Sequence, residues 1–290
     1  MPGSSGKRVF EYIRHTEDKQ NLKIKKAMSA IKKYFRIWWL LSTRSAQVAF
    51  VSRFGAIGFL LGKLIRFVFF LFFLFILIGQ TQAIAGYNLW QIIFFYATFN
   101  LLDTLVQFFL REVYRFRWYV VSGDFDFFLV KPYSPLFRSL FGGADPLDIP
   151  MIALSIVFVV FSGIMMGGIS LFGVAFYILL LANSMLLALS FHIFVLAVGV
   201  LTTEVDNTIW LYRDLTQMGR VPVDIYLQPL RAILTFAIPV GIMITFPAKA
   251  LMGLLSFQGI IISIAVALLF FRLSISFWRF SLTRYASASS

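Results

Sequence analysis

Asn100, Asp103 and Gln107 fall at i, i+3 and i+7 inside the apolar stretch from Leu89 to Leu110, a spacing that sets them on one face of a helix. An acid in hydrocarbon is costly and marks function by default. His192, in the apolar run from Leu171 to Leu201 with Asn183 two to three turns before it, is the second such group. Asp103 and His192 together have the residue types of a proton relay, the chemistry of a secondary transporter. The plainer expectation is one interhelical hydrogen bond for each. Other chemistries are poorly supplied. With no cysteine and only His15 and His192, disulfides, thiol redox and a His-rich metal site are excluded. Gly58 and Gly62-Lys63-Leu64 make the nearest approach to a phosphate loop. It has three residues between the glycines where four are needed, and Leu where Ser or Thr must reach magnesium. Neither a catalytic site nor a cofactor is expected in this chain.

The elements that carry these residues are membrane spans. Of the 290 residues 60% are hydrophobic and 13% charged, and the mean hydropathy is +0.85, against about 25% charged in a soluble domain. Apolar runs approach the ~20 residues that cross a bilayer core. The sequence predicts spans at about 63–85, 89–110, 149–167, 171–201, 232–247 and 257–278. Phe67 to Gly79 is wholly apolar but short, so the first span is placed from Lys63, whose side chain reaches back to the interface, and Ala46 to Gly62 reads as an interfacial or connecting helix. Residues 1–62 form a basic cytoplasmic tail and interfacial region, and 63–290 the membrane domain.

Charge sets the orientation. The formal net charge is +13, and fourteen of the 26 Lys and Arg lie between Lys7 and Arg66. Basic clusters separated by apolar runs face anionic lipid rather than nucleic acid. Leu22, Ala27, Ile31, Tyr34 and Phe35 add an apolar side to the basic segment, the composition of a helix lying in the interface. With both termini inside, the outer loops Gln80–Asn88, Gly167–Ser170 and Pro247–Ser256 hold a single basic residue, Lys249. The positive-inside rule therefore places both termini in the cytoplasm. The expected fold is all-α and multi-pass, in the plasma or inner membrane.

The first inner loop, Arg111 to Asp148, carries Arg111, Arg115, Arg117 and Trp118 at its boundary and then a turn at Gly123-Asp124. A short amphipathic element from Asp126 to Val130 stops at Lys131-Pro132. A compact apolar element flanked by charge suits docking to a soluble partner.

Gly123-Asp124-Phe125-Asp126-x-x-Leu129-x-Lys131-Pro132 resembles the loop motif of ABC transporter permeases of the type-2 exporter class. Gly219-Arg220-x-Pro222, the run Leu234 to Pro239, Ile244 to Ala248, and the terminus Arg284 to Ser290 match in the same order. The resemblance runs from about residue 30 to the end. It implies a six-span permease, dimeric with itself or a related permease, that moves a lipid, drug, glycan or peptide outward. Two separate ATP-hydrolysing subunits would hold the ATP and magnesium. It also implies an amphipathic elbow helix over Lys25–Trp39 and a coupling element over Asp124–Pro132. Asp124, Phe125, Asp126 and Lys131 would transmit to the ATPase, with Asp206, Arg213 and Arg220 as secondary contacts. A broken or re-entrant stretch would follow the fifth segment. The alternatives are a secondary transporter using Asp103 and His192, which lacks a visible inverted repeat, a lipid-modifying membrane enzyme, and a scaffold.

Overall fold

The computed structural model describes residues 28–51, 53–81 and 83–286. The basic residues Lys7 to Lys26 and the terminus Ser287 to Ser290 lie outside them. Among the described residues there is no strand, only an isolated bridge between Ile84 and Tyr87. The chain is helical: α1 (28–49), α2 (Arg53–Thr81), α3 (Leu89–Leu110), α4 (Phe116–Val121), α5 (Asp124–Val130), α6 (Pro135–Leu140), α7 (Ile149–Met166), α8 (Leu171–Thr202) and α9 (Val205–Gln217). The bent pair α10 (Leu230–Ala237) and α11 (Gly241–Leu251) then precedes α12 (Phe257–Thr283). Five helices are long and apolar enough to cross a membrane, and the bent pair is a sixth candidate.

Helix starts are written into the sequence. The Asn88 side chain accepts from the Gln91 amide at 3.0 Å while Gln91 accepts from the Asn88 amide at 2.9 Å, a reciprocal cap at the head of α3. Ser170 caps α8 through Gly173 and Ser256 caps α12 through Gly259, each satisfying an orphan amide. Gly167 and Gly168 both take positive φ in the turn between α7 and α8, a conformation that glycine adopts without steric cost.

The bundle has a centre and a periphery. The most apolar window of α3 is 78% buried and that of α8 56%, against 22% for α2, α7 and α12. The outer three therefore present broad apolar faces to lipid or to another chain. Small and hydroxylated residues let the helices close up where they meet. Ser155, Ser184 and Ser274 donate to carbonyls of their own helices, and Asn183 of α8 donates to the Ser263 carbonyl and hydroxyl of α12 at 3.1 and 2.9 Å. Asn183 thus makes an interhelical hydrogen bond.

The ends of the bundle differ from the sequence expectation in two places. Helix α2 is continuous from Arg53 rather than starting at Lys63, and a turn at 50–51 separates it from α1. Lys63 is held inside the bundle by Asp148. That pairing removes the reason to end the helix at a charge. The second difference concerns residues 202–251. Call the end with loop 83–88 distal and the end with α5 proximal. Helix α9 leaves α8 at the proximal end, where Arg117 of α4 meets Asp206 at 3.5 Å. It rises until Tyr212 and Thr216 stand level with Phe99 and Asp103. The chain then runs on through Val221 and Pro222 in extended form, and Tyr87 of the distal loop donates to the Asp224 carboxylate at 2.8 Å. Arg231 and Lys249 pair with the same carboxylate. The start of α10 and the end of α11 therefore both lie at the distal end. The pair, bent by 75°, is a hairpin that enters the bundle and returns, and the crossing expected at 232–247 is made by α9 and 218–224. Arg231, assigned to the inner loop by sequence, is distal. Its charge and that of Lys249 share Asp224, which is why one more basic residue is tolerated there.

Candidate functional site

The proximal platform is built on α5. Its N-cap, Gly123, sits at φ 79°, the left-handed region that favours glycine, so the chain reverses abruptly out of α4. Ser122 donates to Asp124 at 2.9 Å and fixes the turn. One side of α5 faces inward. Phe125 is fully buried among the rings of Phe116, Phe128, Trp278 and Tyr285, with centroids 5.1–6.3 Å apart. Below it the Tyr285 hydroxyl donates to Asp126 at 2.9 Å. Burial and this carboxylate push the Tyr285 hydroxyl up to about 12 from an ordinary value of 10.0. The Arg138 guanidinium lies over the Phe128 ring at 4.9 Å and donates to Glu112 at 2.6 Å, and Tyr119 donates to the same carboxylate. Burial alone would lower the Arg138 guanidinium, but the adjoining Glu112 holds it above its ordinary value.

The other side of α5 faces out. Phe127 is 61% and Val130 80% exposed, flanked by exposed Trp118, Val121 and Lys131. Helix α1 braces the segment that follows: Lys33 donates to the Pro132 carbonyl, the Ser134 amide donates to the Tyr34 hydroxyl, and the Ala144 amide donates to the Ser42 hydroxyl. Of the residues singled out by sequence, Asp124, Asp126 and Lys131 lie around this platform. Phe125 is its buried anchor rather than part of its surface. Phe127, Val130, Trp278 and Tyr285 were not singled out, although the i, i+3 pairs Phe125–Phe128 and Phe127–Val130 carry the helical period that separates the two sides.

The second site lies within the bundle. Gln107 donates to Asp103 at 2.7 Å, and Asn100 donates to the Tyr96 carbonyl. Asp103 and Gln107 line a cavity with Tyr114, Tyr212, Arg213 and Met243 that has room for about one water molecule. His192 lies one helix away. Its Nδ1 is 2.8 Å from the Ala188 carbonyl, and its ring meets the edge of Tyr212. Asp103 and His192 thus each have a separate local partner. Toward the proximal end Asp148 takes both Lys63 and Arg111, and Asp145 also pairs with Arg111. Arg213 stacks on Tyr114 and Trp210. Arg220 stands far from α5, its guanidinium over the rings of Phe70 and Phe99 at 5.4 and 5.9 Å. Among the described residues no three His, Asp or Glu side chains are grouped to hold a metal ion.

No curated protein and no solved structure matches this chain. The family model of the ABC-2 family transporter proteins matches residues 64–289, which takes in α2 from Leu64 onward and every element from α3 through α12, the α5 platform included. A multi-pass helical bundle, a short amphipathic platform at one end and that match agree, and the chain belongs to the ABC-2 family of transporter membrane proteins.

Proposed function

We propose that this chain is the membrane half of an ATP-driven exporter, with the α5 platform as the docking surface for a separate ATP-binding subunit that holds the ATP and magnesium. ABC-2 membrane proteins work with ABC ATP-binding subunits. The observation that carries the placement here is the two-sided character of α5. Its outer side offers Phe127 and Val130 to a partner, while its inner side is keyed through Phe125 into Trp278 and Tyr285 beside α12. A displacement of α5 is then transmitted to a full-length helix through a packed aromatic joint. Binding energy released on the ATPase shifts the membrane domain between two conformations; no bond is made or broken in this chain. The proximal end, with α1 and α5, faces the cytoplasm, and two permease chains enclose the path.

The test is co-purification from native membranes with Phe127 and Val130 both changed to Asp. Both side chains are exposed, so the fold should persist. Loss of a nucleotide-binding subunit from the double variant, with the subunit retained by wild type, supports the docking surface. An ATPase that stays bound to the double variant removes α5 from the interface, and a wild-type chain that brings down no ATPase removes the reading itself. The secondary-transport alternative gains no support from the separate hydrogen-bond partners of Asp103 and His192.

A further inference from the structure

Arg66 is the fourteenth of the 29 residues of α2, about 20 Å from either end of that helix at 1.5 Å per residue. Its side chain is exposed on the surface of this chain. Arg220 is at similar depth, stacked on Phe70 of α2 and on Phe99 at the middle of α3. Phe70 stands one helical turn from Arg66 on α2, so the two guanidinium groups share this surface. A cation at the centre of a bilayer is costly, so this face does not look onto lipid. Nor does the protein neutralise it. Four cations, Arg213, Arg66, Lys63 and Arg220, act on the one carboxylate of Asp103, which is already bound by Gln107. Lys63 has a second acid in Asp148 and Arg213 one in Asp214, which leaves Arg66 and Arg220 sharing Asp103. Toward the proximal end the same face opens into a cleft between Phe59, Trp210, Arg111, Arg115 and Arg213. Cations therefore recur from the proximal mouth to mid-membrane, each alternating with aromatic rings.

We infer that this face is the path of an amphiphile with an oxyanion head group, phosphate or carboxylate, on an apolar body. The inference rests on the permease reading and names the substrate class for it. The planar forks of Arg66 and Arg220 match a phosphate or carboxylate oxygen pair. Phe59, Phe70, Phe99 and Trp210 flank the tail. Arg115 and Arg213 meet the head group at the entrance, and Arg66 with Arg220 carry it past the middle of the bilayer, where no water or lipid head group is available to do so. The surplus of positive charge is then a substrate-shaped vacancy in the electrostatics rather than a defect of the fold.

The experiment uses the full chain in lipid discs and a pyrene-labelled monoalkyl phosphate, with binding read by energy transfer from tryptophan. Monododecyl phosphate should displace the probe at a concentration about ten-fold below that of dodecylphosphocholine, the size of one charge-assisted contact. Monododecanoic acid should behave as the phosphate does if the head group is read only as an oxyanion, and a dodecyl phosphate preference without it narrows the class to phosphate. Arg66→Gln with Arg220→Gln should abolish the preference, Arg220→Lys should keep part of it, and Arg272→Gln on α12 should leave it intact. If Arg220→Gln fails to fold, the exposed Arg66→Gln alone carries the test. A preference that survives the double change, or that wild type never shows, overturns the inference. So does loss of a two-chain assembly with the phosphate preference unchanged, which would assign the arginines to a protein contact. Co-purification of the ATPase is followed in parallel. An ATPase retained by the double variant while its phosphate preference vanishes supports the inference apart from the docking surface, and an ATPase absent from wild type strikes the permease reading and with it the substrate role.

Discussion

Phe125 carries the joint between α5 and α12, and its removal leaves a void among four rings that cannot all collapse onto it. Phe125→Ala is expected to cost about 3–5 kcal/mol locally, read as loss of hydrogen-exchange protection over residues 116–130 with α3 and α8 unchanged. Tyr285 gives the same joint a pH limit. Its hydroxyl must stay protonated to donate to Asp126, and its folded value, pushed up to about 12, exceeds the ordinary 10.0. The contribution is therefore complete below pH 10 and lost as the pH rises through about 12. A difference absorbance titration of wild type against Tyr285→Phe should show one tyrosine ionising near 12, and a tyrosine near 10 would mean that the hydroxyl is free. Gly123 belongs to this scale too: its positive φ makes any other residue there strain the turn that presents α5.

Between elements, two contacts decide how the helices are held. Asn183 of α8 spans to Ser263 of α12. Such bonds inside a membrane are worth about 0.6 kcal/mol and at most ~1.7, so Asn183→Ala should lower unfolding stability in detergent by that amount and leave transport standing. Asp224 gathers Tyr87, Arg231 and Lys249 and so fastens the crossing segment, the distal loop and both ends of the α10–α11 hairpin. Asp224→Asn should raise hydrogen exchange across 221–232 and 246–252 by about ten-fold, the loss of one charge-assisted bond, while exchange at α5 stays as in wild type.

For the molecule as a whole the decisive quantity is which end faces which side. The chain has no cysteine, so single introduced thiols report topology on a clean background. Cysteine at Gln80 or at Leu227, the latter 85% exposed, should react with an impermeant maleimide added outside intact cells, and cysteine at Ser122 should react only after permeabilisation. Leu227 labelled from the inside would return residues 202–231 to the cytoplasm and undo the crossing through α9 and 218–224. The exposed apolar faces of α2, α7 and α12 leave room for lipid and for a second permease chain beside the arginine-lined surface.

Composition, span number and the capped helix starts at Asn88, Ser170 and Ser256 were decided by the sequence alone, because hydrocarbon demands long apolar runs and helix heads demand a side-chain acceptor whatever surrounds them. The α5 element was equally legible, since its apolar period and the turn at Gly123 are local. Helix α9 was not. Val205, Ile209, Tyr212 and Thr216 are buried on one side while Asp206, Arg213 and Asp214 occupy others, so a segment that rises into the bundle reads as a polar loop. Only the tertiary structure gives its polar side somewhere to go, against Asp103 and the surface of Arg66 and Arg220. It likewise turned Arg220 from a loop residue into a cation stacked on rings of α2 and α3 and brought Arg231 and Lys249 to one carboxylate. Pairings of that kind join residues distant in sequence through space, and no local pattern encodes them.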